Sequence, residues 1–178
     1  RWIIDKAKVR YIPEDRIHTA TVPKMSLTKN VALKSYRQAP FSRNQFIDWN
    51  YTATHTDALI AEFDVKTPGN HTPAGKLSGG NVQKLILARE VASDPPLVIA
   101  VHPTYGLDVA ATKFVREALL AQRKKGAGVL LSSEGLEEIL AISDRVAVIY
   151  EGKIMGILPA EEAQRNIDAI GLMMAGTA

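Results

Sequence analysis

Leu77-Ser78-Gly79-Gly80-Asn81, running on as Val82-Gln83-Lys84-Leu85-Ile86-Leu87-Ala88-Arg89-Glu90, is the stretch whose reading decides the fold. It reads as a loop breaking into a helix. Ser78 stands where an N-cap belongs, and a serine hydroxyl there can accept from an otherwise unpaired backbone N–H. Leu77 and Val82 fall at the N′ and N4 positions and can pack as a hydrophobic staple. Val82, Leu85, Ile86 and Arg89 follow at i, i+3, i+4 and i+7, an apolar stripe with a basic end. Gly79 and Gly80, directly after the cap, let an outside group approach the backbone. The aligned peptides place roughly half a positive charge at the helix start. Hydroxyl, N–H groups and dipole converge on one spot, and the ligand chemistry that fits is an anion, above all a phosphate.

The remaining chain sets the frame. With 178 residues, 46% of them hydrophobic and 23% charged, it is long enough for one domain with a real core. There is no cysteine, which excludes disulfides, zinc–thiolate sites and a cysteine nucleophile. No apolar run reaches the roughly 18 residues of a membrane span, and the opening Arg1-Trp2-Ile3-Ile4-Asp5 has no signal-peptide core. The net charge of +3 is uneven: residues 1–50 carry ten Lys+Arg against four Asp+Glu, and the rest twelve against fifteen. A basic end can meet nucleic acid or another acidic partner, so a non-catalytic basic binding module is the alternative function class. The cations are scattered and no aromatic–basic interleaving appears, so no nucleic-acid partner is expected.

In chain order, Lys8–Ile12 reads as a short strand stopped by Pro13, with Pro13-Glu14-Asp15-Arg16 as a turn. Residues 18–94 read as mostly helical. Ser26 caps a helix from Leu27, a second helix spans about Asn44 to Phe63, a loop covers Pro68 to Pro73, and the Ser78 helix runs to Ser93 before Asp94-Pro95-Pro96. From residue 97 the pattern changes to alternating strands and helices, the sign of a parallel sheet. Leu97–Val101 is predicted as a buried strand, Val109–Lys125 as a helix, Val129–Ser132 as the next strand and Leu136–Ile142 as a short helix. A hairpin then turns at Glu151-Gly152, and a helix begins at Pro159.

The string L-S-G-G-N-x-Q-K resembles the signature motif of the ABC-transporter ATPases, in the form typical of the branch that imports simple sugars and nucleosides. The resemblance extends over nearly the whole chain and includes Tyr105-Gly106-Leu107-Asp108 and the stretch Ser143-Asp144-Arg145 through Tyr150-Glu151-Gly152-Lys153-Ile154. It implies an α/β fold: a partial P-loop NTPase core with a parallel sheet (95–178) plus an inserted helical subdomain (18–94), all within one truncated nucleotide-binding domain (1–178). In that family the signature closes over the γ-phosphate of an ATP bound to the opposite domain, so Ser78, Gly79, Gly80 and Asn81 are expected to touch a partner's ATP. Glu14 takes the place of the Q-loop glutamine that links the site to the membrane subunits. Asp108 belongs to the D-loop, which contacts the opposite site, and it is also a good helix N-cap.

Other positions depart from the pattern. Walker B supplies an Asp for the water shell of Mg²⁺ and a Glu for the attacking water; Val101 and His102 stand there instead. The switch histidine is replaced by Glu134, and a carboxylate repels a γ-phosphate rather than holding it. No G-x-x-x-x-G-K-[ST] cradle exists. The nearest string, Gly69 to Gly75-Lys76-Leu77, has five residues between its glycines, contains Pro73 and ends in leucine. The family's P-loop precedes the Q-loop strand, so the chain is expected to be the C-terminal piece of a longer subunit.

Hydrolysis is thus expected only with a partner, and the chain alone is expected to be inactive. ATP with Mg²⁺ would be held mainly by the partner domain, with no metal site in this chain. The implied partners are a second ABC ATPase domain, membrane permease subunits and, indirectly, a solute-binding protein, at the cytoplasmic face of the membrane. Self-association through uncovered sheet edges is expected of the chain by itself. A nucleotide enzyme of another P-loop class is the remote third reading.

Overall fold

The computed structural model describes residues 7–177; the opening Arg1–Asp5 stretch lies outside them. Two compact units divide the chain, Arg1–Leu130 and Leu131–Ala178, and the stretch 18–94 falls wholly within the first.

The first unit opens with β1 (Val9–Ile12), which pairs in parallel with β4 (Leu97–Val101). The sheet order is β1-β4-β5, with β5 at Gly128–Ser132. Arg10 stands opposite Val98 and Ile12 opposite Ala100. These four are the buried face, while Tyr11 on the other face is 43% exposed. The continuous apolar run of β4 predicts burial on both sides. Only alternate residues, Val98 and Ala100, are fully covered.

Between β1 and β4, α1 (Leu27–Ala32) starts at Ser26, whose Oγ accepts from Lys29 N at 3.3 Å. Buried Asn30 pins the preceding loop, accepting from Val22 N at 2.8 Å and donating to the carbonyls of Val22, Met25 and Ser26. The expectation of one long helix over 44–63 is corrected. Ser42–Arg43 (β2) and Phe46–Ile47 (β3) form a small antiparallel hairpin. Asn44 and Gln45 both have positive φ, 50° and 70°, the twist a tight two-residue hairpin demands. Asp48 then caps α2 (Trp49–Glu62) by accepting from Tyr51 N at 2.8 Å. The insert is therefore not all-helical.

After a short 3-10 turn at Ala74–Lys76 comes α3 (Gly79–Val91). The rejected Gly69–Gly75 string lies ahead of it and partly in that turn, not after a strand. The apolar stripe predicted for α3 is broader than a stripe: Val82, Leu85, Ile86, Leu87, Ala88 and Val91 are all buried. Each of the valines, leucines and the isoleucine among them contributes about 1.5–3 kcal/mol of burial. α4 (Val109–Lys124) packs beside α3, burying Ala111, Val115 and Leu119. Lys84 on α3 lies over the Phe114 ring at 4.8 Å.

α3 also carries Glu90, which is fully buried. Its two oxygens serve different cations: Lys34 Nζ at 2.7 Å and the Arg89 guanidinium at 2.8 Å. Arg89 also donates to the Asn30 carbonyl at 3.2 Å. Burial holds Lys34's pKa below the usual lysine value, with Glu90 opposing that shift and the positive charges of Arg89 and Arg10 adding to it. Arg10, almost wholly buried on β1, donates to Ser93 Oγ at 3.2 Å. Arg10 and Lys34 belong to the basic N-terminal third, so part of that excess charge serves the interior and is not available as a nucleic-acid face.

The second unit contains α5 (Leu136–Ile142), the antiparallel pair β6 (Arg145–Tyr150) and β7 (Lys153–Pro159), then α6 (Ala160–Arg165) and α7 (Ile167–Met174). The hairpin turns at Glu151-Gly152, both at positive φ. Val146, Val148, Ala160, Ala163 and Ile170 form its core, with Leu136, Ile139 and Met173 packed on them. Among the described residues no helix is long and apolar enough to cross a membrane.

Removing Glu90's charge leaves Lys34 and Arg89 facing each other without a counter-ion. Glu90→Gln is expected to cost about 3–5 kcal/mol, read from the urea midpoint; a loss below about 1 kcal/mol contradicts this account of the cluster.

Candidate functional site: the start of α3 against the start of α4

Ser78 has extended backbone angles, φ −65° and ψ 156°, and occupies the N-cap position of α3. Its side chain does not cap, contrary to the expectation from sequence. The reason is Asn81. The Asn81 Nδ2 donates to Ser78 Oγ at 2.9 Å, while Asn81 Oδ1 accepts from Lys66 N at 2.8 Å. Asn81 thus ties the loop before the signature to the serine and holds the hydroxyl oxygen out of capping geometry. Ser78 and Gly79 are exposed. The hydroxyl proton has no acceptor among the described residues.

The first bond of the α3 ladder runs from Val82 N to Ser78 O at 2.9 Å. The N–H groups of Gly79, Gly80 and Asn81 precede it and find no carbonyl within the helix. A loop at Asp64–Lys66 flanks this corner. The Asp64 carboxylate accepts from Lys66 and from Lys84, bonds that hold it below the usual carboxylate range.

α4 begins a few ångströms away. Asp108 is its N-cap as expected, with Oδ1 accepting from Ala111 N at 2.8 Å. A Cβ at Gly80 would lie 3.2 Å from Ala111 Cβ and 3.9 Å from Asp108 Oδ2. Two helix N-termini therefore abut, and their dipole ends add at one surface, partly offset by the Asp108 carboxylate.

The turn between β4 and α4 is held firmly. His102 leaves the strand at φ +45° and Gly106 turns at φ +64°. Left-handed backbone is sterically costly for a residue with a side chain, though histidine adopts it more readily than most. Tyr105 N donates to the His102 carbonyl at 3.1 Å and Leu107 N to the Thr104 carbonyl at 3.1 Å. Gln83, fully buried on α3, donates its Nε2 to the Pro103 carbonyl at 2.7 Å. Val101 and His102, at the end of β4, place no carboxylate there. A methyl-bearing side chain cannot ligate a magnesium ion, and no group of three or more metal-ligating side chains occurs among the described residues. The donor set at the end of β4 does not fit Mg²⁺.

A cavity of about 420 Å³ opens at the ends of β1 and β4, lined by Tyr11, Pro13, Glu14, Asp15, Thr19, Val101 and Tyr105. Glu14 is thus brought to the Tyr105 turn rather than left on an unrelated surface. Glu134 is an exposed residue of the second unit, just before α5.

Sequence reasoning overlooked Arg16 and Gln83. Gln83 had a signal: a polar residue one position from the apolar stripe, on a helix that turns out to be buried nearly all round. Arg16 had none beyond standing two residues after Glu14. Its guanidinium donates to the Tyr105 carbonyl and passes 3.6 Å from where a Cβ at Gly79 would stand.

No protein-family model matches the chain. A glucose import ATP-binding protein of Haloferax volcanii is 43% identical over 178 residues, 99% of this chain and 32% of that protein. A nucleoside import ATP-binding protein of Lactococcus lactis is 40% identical across 97% of this chain and 34% of its own length. The chain is a homologue of ABC import ATP-binding proteins. A guanosine import ATP-binding protein of Bacillus subtilis, 41% identical over 98% of this chain and 34% of its own, belongs to the same group. The chain spans about a third of the length of these curated relatives.

Solved structures show the ABC ATPase fold. The ATP-binding subunit of an ABC transporter superposes with a TM-score of 0.72 at 22% identity, covering 95% of this chain and 69% of that one. The dimeric ATP-binding cassette MJ0796, with ADP and phosphate bound, gives 0.69 at 16% identity over 85% and 62%. The α/β P-loop NTPase core expected from sequence is the fold observed.

The two serines at helix starts should behave differently. Ser26→Ala removes a side-chain cap and is expected to cost about 1 kcal/mol. Ser78→Ala removes none and is expected to cost less than about 0.5 kcal/mol. Equal losses in chemical denaturation would contradict the finding that Ser26 caps its helix through its side chain and Ser78 does not. Asp108→Ala is expected to cost about 1 kcal/mol, with Asp108→Asn recovering most of it.

Proposed function

We propose that the chain is part of an ABC importer ATP-binding subunit for simple sugars or nucleosides, and that its α3 corner closes over an ATP held by a partner cassette. The observation that carries this reading is the exposed Ser78 hydroxyl, unengaged as a donor, beside three ladder-free N–H groups where two helix N-termini meet. Ser78, Gly79 and Gly80 supply neutral, preorganised donors to a terminal phosphate, and such donors act most strongly where water is excluded. Asn81 orients Ser78, and Asp108 faces the same interface. Bound ATP supplies the phosphoryl group and its leaving group; this chain contributes positioning and charge stabilisation.

The division of labour follows from the side chains. Val101 and His102 offer neither a magnesium-organising carboxylate nor a carboxylate base, and Glu134 adds a negative charge where the family pattern has a histidine. A competent P-loop and its Mg²⁺ belong to the partner. In this reading residues 18–94 form the helical subdomain. Glu14 and that subdomain meet membrane permease subunits at the cytoplasmic face, with a solute-binding protein delivering the sugar or nucleoside. The printed names of the relatives, glucose, nucleoside and guanosine import proteins, support this solute class.

Paired with a P-loop-bearing cassette, the chain is expected to support ATP turnover that Ser78→Arg abolishes, because the longer side chain blocks the phosphate approach. Calorimetry of the chain without a partner is expected to show no Mg-ATP site of micromolar or tighter affinity. Tight binding to the unpaired chain, or turnover that survives Ser78→Arg, contradicts the proposal.

A further inference from the structure

Arg16 sits on an unusually well-fixed piece of backbone. Asp15 Oδ1 accepts from Ile17 N at 3.0 Å and from His18 N at 2.9 Å, and Ala20 N donates to the Asp15 carbonyl at 3.2 Å. Thr21 Oγ1 donates to the Arg16 carbonyl at 2.8 Å and also contacts the Ile17 carbonyl at 3.1 Å. From this base the side chain crosses to a segment 89 residues away, where Nη2 donates to the Tyr105 carbonyl. Nη1 passes over Gly79, 3.6 Å from the place a Cβ would take. Nε is enclosed and has no acceptor among the described residues. Burial lowers the guanidinium's pKa, and the charge of Glu14 opposes that shift.

Arg16 is partly buried, and one end of its guanidinium is spent on the carbonyl of a turn. That turn carries strained His102 and leads straight into Asp108, and Gln83 holds it from the other side through the Pro103 carbonyl. The turn is therefore clamped between α3 and the 13–16 loop.

We propose that Arg16 is a positioning residue: it clamps the 102–108 turn beside Gly79, so that the 13–16 loop sets where Asp108 and the Ser78 corner stand relative to each other. The inference rests on the reading of the Ser78 corner given above and deepens it by naming the residue that links three separate segments. Lysine could reach the carbonyl with one donor, but it lacks the second terminal nitrogen that Arg16 places beside Gly79 while the first meets Tyr105. A displacement on the order of 1 Å in a positioned group costs up to a hundredfold in rate.

The test uses the full-length subunit assembled with its P-loop-bearing partner, comparing Arg16→Ala, Arg16→Lys and Ser78→Arg. Arg16→Ala is expected to lower kcat for ATP about tenfold or more with KM for ATP within about twofold, the pattern of a lost transition-state arrangement rather than lost binding. Arg16→Lys is expected to recover part of that loss. Amide hydrogen exchange should quicken at Tyr105 and Leu107 in both variants while Asn30 on α1 stays at its wild-type rate. If Arg16→Ala does not assemble, Arg16→Lys carries the same two readouts. Unchanged kcat with unchanged exchange overturns the proposal. So does a raised KM at unchanged kcat, which would make Arg16 a ligand contact. Ser78→Arg separates the two levels: turnover surviving it sinks the signature reading itself, whereas turnover lost there but intact in the Arg16 variants sinks only the role of Arg16.

Discussion

The absence of a side chain at position 80 is the constraint from which the rest of the site follows. A Cβ there would come within 3.2 Å of Ala111 Cβ, a tighter approach than most packed side chains make, so the facing alanine would have to give by a few tenths of an ångström. With glycine, the starts of α3 and α4 can touch, and two sets of unpaired N–H groups come to face one surface. Helix starts carry partial positive charge, so the abutment concentrates an anion-attracting field, to which the Arg16 guanidinium beside Gly79 adds a formal charge. The Gln83 bond to the Pro103 carbonyl and the Asp108 cap keep that surface in shape. Local backbone chemistry, helix packing and ligand preference are here one arrangement.

Much of this was legible from residues. Ser26 and Asp108 are caps because each is followed by a helical pattern with little to compete for its oxygen. Ser78 looked the same and is not a side-chain cap, because Asn81, three residues on, reaches back and takes the serine oxygen. A tertiary bond from Lys66 N fixes Asn81 in that role, and no local rule contains Lys66. The hairpin at 42–47 was missed for a related reason. Asn44-Gln45 is an uncommon pair for a tight turn, and Phe46 and Ile47 look like helix residues until Asp48 is recognised as the true start. Arg16 was invisible because its importance lies in a carbonyl 89 residues away, and a backbone acceptor leaves no mark in a sequence.

The positions that lack chemistry are as informative as those that have it. β4 ends in Val101 and His102, and the cavity beside it carries Glu14 and Asp15. No P-loop string lies anywhere in the sequence. The α3 corner, by contrast, keeps all its donors. That contrast is what supports the proposal that the corner completes a phosphate site held by a partner. The buried Glu90 cluster at the far end of α3 anchors the same helix between β1 and α1, so the corner is presented from a fixed rod rather than a mobile loop.

The account's central claim is that this corner meets a nucleotide bound elsewhere. A structure of the full assembly trapped with ATP in the partner's P-loop tests it most directly. The account predicts Ser78 Oγ and the Gly80 N–H within hydrogen-bonding distance, about 3 Å, of an oxygen on the terminal phosphate. A trapped assembly in which the corner faces solvent or the permease, with no phosphate contact, would contradict it.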